Sequence, residues 1–67
     1  MHYNGEILIE KEGRFVFIED INLPQKLYPL SIKTKKHVED GDRVVVELIP
    51  CYEEMDEQPD YIARIIE

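Results

Sequence analysis

The stretch "GRFVFIED", residues 13–20, sets four apolar side chains in a row, Phe15, Val16, Phe17 and Ile18, within a chain of 67 residues. In a strand, successive side chains point to opposite faces, so one pair fills a core and the other faces outward. Two assignments are open. Val16 and Ile18 fill the interior while the rings face out, or the rings are core and the β-branched pair forms an outer face, which β propensity allows equally.

Working outward from this stretch, four more short segments rich in Ile, Val, Leu and Tyr alternate with breaker clusters, the signature of a small all-β domain. "YNGEILIE" (3–10) precedes "KEG", a tight turn at Gly13, where positive φ carries no steric cost. The second strand is "RFVFIE" (14–19). "DINLP" supplies Asp20, Asn22 and Pro24 for a loop, and "KLYPLSI" (26–32) resumes the apolar rhythm as strand three. Pro29 within it demands an edge or a bulge, because it cannot donate to a ladder. "KTKKHVED" (33–40) is polar with room for one helical turn, and "EDGD" turns at Gly41. "RVVVELI" (43–49) is the clearest strand, ended by Pro50; "CYEEMDEQPD" (51–60) is a loop, and "YIARII" (61–66) is the fifth strand.

Five strands without helices long enough to cover a sheet must close on themselves to bury their apolar face and remove exposed edges. An OB-type barrel and an SH3-like barrel both satisfy this. The long connection between strands three and four and the ten-residue loop between strands four and five favour the OB type. The expected fold class is all-β, a small five-stranded OB-type barrel, with residues 1–67 forming one domain.

Composition narrows the function. Eight basic against fifteen acidic residues give a net charge of −7, with 43% hydrophobic residues, which suits a folded domain. One cysteine, Cys51, excludes an internal disulfide framework. "MHYNGEILIEKE" has no basic leader followed by an apolar run, and no stretch approaches the roughly 20 apolar residues of a membrane span. The cytoplasm is the expected compartment, with no membrane partner. Two histidines, His2 and His37, and one cysteine are too few for a zinc site of His and Cys alone. No calcium loop is expected either, since the acidic loop lacks alternating Asp/Asn ligands and a central glycine. A non-catalytic protein without metal or cofactor is expected.

"GEI", "GRFVFI", the single aromatic in "KLYPLS", "DGDRVVVEL" and the closing "ARII" together resemble a cold-shock-type OB domain over nearly the whole chain. Among such domains the likeness is greatest to the N-terminal RNA-binding OB domains of the ribonuclease II and ribonuclease R exoribonucleases. "GDRVVVELIP" is also similar to bacterial translation initiation factor one. The resemblance implies outward aromatics on strands two and three, which by position are Phe15, Phe17 and Tyr28. An exposed ring stacks on an unpaired base for roughly 1–3 kcal/mol with little regard to base identity. Lys11, Arg14 and Lys26 flank these positions as phosphate contacts, and the "KTKKH" cluster adds Lys33, Lys35 and Lys36. The chain departs from the family pattern at Val16, where the family has glycine, at Ile9 near its outward tryptophan, and at Leu30 near its strand-three histidine.

The negative charge is unevenly spread. Residues 1–43 carry a net −1 and residues 44–67 a net −6, so the excess belongs to the last third. With a Debye length of about 8 Å at physiological salt, distant carboxylates are largely screened from strands one to three. Weak, salt-sensitive binding of single-stranded RNA or DNA by a monomer is the expected function. The alternative is a protein-interaction module, using the acidic 51–60 loop toward a basic protein partner or an apolar face in a homodimer.

Overall fold

A computed structural model describes residues 1–51 and 60–66. Five strands run in chain order: β1 (His2–Glu10), β2 (Gly13–Phe17), β3 (Leu27–Pro29), β4 (Arg43–Cys51) and β5 (Asp60–Ile65). Hydrogen-bonded neighbours follow the order β3-β2-β1-β4-β5, all antiparallel, and a parallel bridge from Leu30 to Ala63 joins the two outer strands. The result is a small, nearly closed all-β barrel, as the alternation of short strands and breakers predicts, and its shape is consistent with the OB type.

Closure depends on β1, which serves two partners in turn. Its first half, His2 to Glu6, pairs with β4, and its second half, Glu6 to Glu10, pairs with β2. At the changeover stands Gly5, where an added Cβ would collide with Val16 Cγ1 and press on the Phe17 carbonyl. Only a residue without a side chain lets β1 pass this close over β2. Gly13 and Gly41 serve the turns before β2 and β4, where they adopt positive φ of 144° and 92°.

The interior is built by parity. Ile7, Val16, Ile18, Tyr28, Leu30, Val38, Val44, Val46 and Ala63 are buried, and Tyr3, Leu23, Leu48, Tyr61 and Ile65 pack against them. No polar or charged residue is buried among the described ones. On β2 and at the residue that follows it, this settles the opening alternative: Val16 and Ile18 fill the barrel, and Phe15 and Phe17 stand half-buried on the outer face.

Four details differ from the sequence expectation. First, Pro50 does not end β4, which runs through it to Cys51. The bond from Ile66 N–H to the Val45 carbonyl sets the β4–β5 hydrogen-bonding phase, and alternation then leaves the Pro50–Tyr61 pair without ladder bonds. A missing N–H therefore costs nothing there. The same phase argument covers Pro29, since β2–β3 bonds run from Ile18 to Lys26 and from Leu30 to Arg14, and the Phe15–Pro29 pair lies between them. Second, strand three spans only Leu27–Pro29, less than the expected residues 26–32. Third, the 33–40 connection holds no helical turn. Instead Thr34 N–H donates to the Ser31 carbonyl, Lys33 N–H donates to Ser31 Oγ, and Val38 plugs the core. The turn at 39–42 is tied to β1 by Ile9 N–H donating to Asp40 Oδ1 at 2.8 Å.

The fourth difference bears on function. Tyr28, expected to stack on a base, has no exposed surface. Its pairing with inward-facing Val16 places it on the inner face of β3, so Leu27 and Pro29 take the outer positions. Burial pushes the Tyr28 phenol pKa above its usual value, with a smaller upward push from Tyr3, Tyr61 and Asp20, and the backbone at Gln25 offsets part of this. The hydroxyl makes no well-formed hydrogen bond. The loop expected over residues 51–60 lies outside the described residues except at its two ends, Cys51 and Asp60, which are paired strand residues and not loop.

Gly5→Ala should destabilise the protein by about 1–3 kcal/mol through overpacking against Val16, read as a lower urea midpoint with unchanged slope. Adding Val16→Ala should cost less in that background than in the parent. Tyr28→Phe should leave stability at neutral pH equal or slightly higher, since it removes a hydroxyl without a good partner. A raised folded-state pKa means the folded chain holds its proton longer, so stability present below about pH 10 is lost as pH rises through the folded value. Tyr28→Phe should remove that part of the alkaline loss, measured by denaturation between about pH 9 and 11.

Candidate nucleic-acid interface

The outer face of β1, β2 and β3 follows from registry. Phe15 lies between Leu8 on β1 and Pro29 on β3; Phe17 lies between Glu6 on β1 and Leu27 on β3. These positions make a continuous, mostly apolar surface two rows deep, with the rings at its centre. Both residues are half-buried, so each keeps part of its surface open to solvent. Beyond Phe17 the row continues to Arg43, the β4 partner of Glu6. A shallow depression of about 470 Å³ opens there, lined among others by Asn4, Phe17, Glu19 and Arg43.

The cations named from sequence do not gather around the rings. Lys11 sits exposed in the β1–β2 turn, at the Phe15 end of the face. Arg14 has the parity of Val16, so its side chain leaves β2 on the side opposite Phe15 and Phe17; it is half-buried at the barrel rim rather than flanking the rings. Lys26 is exposed just before β3, and its carbonyl accepts from Ile18 N–H at 2.7 Å. Lys33, Lys35 and Lys36 are exposed in the β3–β4 connection and border a different surface, over β4 and β5. Arg43, which sequence reasoning passed over, is the cation on the aromatic face. Its signal was its place as first residue of the clearest strand, but only registry with Glu6 puts it beside Phe17.

Charge on this face is mixed. Glu6 and Glu19 stand with Arg43 around Phe17, so stacking and apolar contact, more than phosphate attraction, are what the surface offers a ligand. Among the described residues no group of three His, Cys, Asp or Glu side chains is placed to hold a metal ion. His37 and Glu39 form an exposed pair at 3.6 Å, and Cys51 lies exposed at the end of β4 opposite Asp60. The chain matches no protein-family model, and neither the curated proteins nor the solved structures contain one that it matches.

Proposed function

We propose that the protein is a non-catalytic, monomeric module that binds single-stranded RNA or DNA on the outer face of β1–β3, in the manner of a cold-shock-type OB domain. The observation that carries the reading is the outward placement of Phe15 and Phe17, next to one another on one face of one strand and flanked by Leu8, Leu27 and Pro29. Alternate residues of a strand are spaced at roughly 6–7 Å, about the step of a stretched single strand with a base on each ring. Every base has a π-face, so two rings bind without reading sequence. Lys11, Lys26 and Arg43 lie at the margins as phosphate contacts. The Tyr28 ring contributes to the core and not to the ligand.

The mixed charge sets the character of binding. Glu6 and Glu19 oppose a phosphate backbone near Phe17, so affinity rests on stacking and is modest. Few phosphates are neutralised, so in place of the salt-sensitive binding expected from the sequence, a slope of about −0.7 in log K per phosphate on single strands leaves the salt dependence shallow.

Phe15→Ala and Phe17→Ala should each weaken binding of an oligo-uridine by about 1–3 kcal/mol, a factor of roughly 5 to 150, in fluorescence titrations at low salt. Thermal unfolding should stay cooperative in both variants, while Tyr28→Phe should bind as the parent does. Unchanged affinity in the double ring variant would remove the reading.

A further inference from the structure

A second surface lies on the other side of β3. The chain leaves β5 after the Leu30–Ala63 bridge and the bond from Ser31 N–H to the Ala63 carbonyl, and the Ser31 carbonyl turns away to accept from Thr34. The divergence opens a groove of about 880 Å³ between the 31–36 connection and the outer face of β4 and β5. Its walls are aliphatic: Leu30, Ile49, Ile62, Ile65 and Ile66, with Ile32 95% exposed at the rim. Among the described residues its charged lining is basic, Lys33, Lys35, Lys36 and Arg64, in a chain of net charge −7. Arg64 is bridged to Glu47 on β4, while the three lysines have no carboxylate partner among the described residues.

Among the described residues, the β5 edge beside this groove is unpaired at Ile65. Ile66 N–H donates to β4, so alternation turns the N–H and carbonyl of Ile65 away from β4, toward the space that β3 has vacated. No described backbone group pairs with them there. An exposed strand edge is a template for an added strand, with main-chain bonds giving affinity and alternate side-chain pockets giving specificity.

From these three features of the described residues, aliphatic walls, a basic rim and an unpaired β5 edge, we propose that the groove docks an extended acidic segment of a partner protein. Its aliphatic side chains enter between Ile32 and Ile62, its carboxylates meet Lys33, Lys35 and Lys36, and its backbone pairs with Ile65. Single-stranded nucleic acid suits the groove less well because its lining, among the described residues, contains no aromatic ring on which a base could stack. The inference is independent of the nucleic-acid reading, which concerns the opposite side of β3.

The test is an amide-shift titration of the whole 67-residue chain with a seven-residue peptide alternating aspartate and leucine, a lysine–leucine counterpart, and an octa-uridine. The acidic peptide should shift residues 30–36, Ile49 and 62–66, leave Phe15 and Phe17 unmoved, and slow hydrogen exchange at Ile65. Lys33→Glu, Lys35→Glu and Lys36→Glu together should weaken it about tenfold or more, whereas Lys11→Glu should not. Ile32→Ser, at a side chain with almost no burial to lose, should also weaken it while thermal unfolding stays that of the parent. The proposal falls if the acidic peptide gives no shifts at millimolar concentration, if the lysine peptide binds as well, or if the charge-reversed variant binds unchanged. Displacement of the acidic peptide by octa-uridine would make the groove a nucleic-acid site, and groove shifts on dilution of the protein alone would make it a contact between copies. Either result overturns the assignment. Octa-uridine shifts confined to β1–β3 would bear on the other face only.

Discussion

The fold depends on one close approach, that of β1 over β2 at Gly5. Because β1 gives its first half to β4 and its second half to β2, it is the strand through which the sheet curls into a barrel, and the curl needs the space of a missing side chain beside Val16. Once the sheet closes, inside and outside are no longer exchangeable. Side chains alternate with a period of two, so a slip of one residue would bring Phe15 and Phe17 into a core already sized for Val16 and Ile18. The packing at Gly5 thus fixes which β2 side chains any ligand can meet.

The other end of the sheet closes less completely, and the hydrogen-bonding phases explain why. Pro29 and Pro50 both occupy pairs without ladder bonds on their antiparallel partner's side, so each strand tolerates its proline. Pro29 nevertheless presents its nitrogen to the seam with β5, where the pairing is a single bridge. The seam parts just beyond it, and Ser31 uses its carbonyl in a local turn. An apolar groove and an unpaired stretch of β5 follow from the same short seam.

Much of this was legible in the sequence, for identifiable reasons. The strands at Gly13–Phe17 and Arg43–Cys51 announce themselves by β-branched and aromatic runs after glycine turns, and choosing strands over helices needed only the spacing of breakers. Tyr28 was not legible. In "LYPL" every position is apolar, so no polar residue marks the outer face, and the parity is set only by pairing with Val16. Val38 was hidden in a polar run, where a single apolar residue carries no periodicity, yet it is buried in the core. Arg14 was read by proximity in sequence to Phe15, whereas adjacency on a strand means opposite faces. The groove was out of reach because it combines residues 30–36, Ile49 and residues 62–66, segments that only the barrel brings together.

Charge along the chain and charge in space also part company. The sequence assigns the lysines of residues 33–36 to the less acidic two-thirds, and so to the aromatic strands; the fold carries them around β3 to lie over β4 and β5. Around Phe17 stand two glutamates and one arginine, while the described lining of the lysine groove has no ring. Stacking and ionic attraction are therefore held on separate surfaces, and of the outer-face residues from Leu8 to Pro29 only Pro29 belongs to both, as partner of Phe15 and wall of the groove. A ligand using both would have to cross this proline, so the described residues carry two surfaces of distinct chemistry that meet at one side chain.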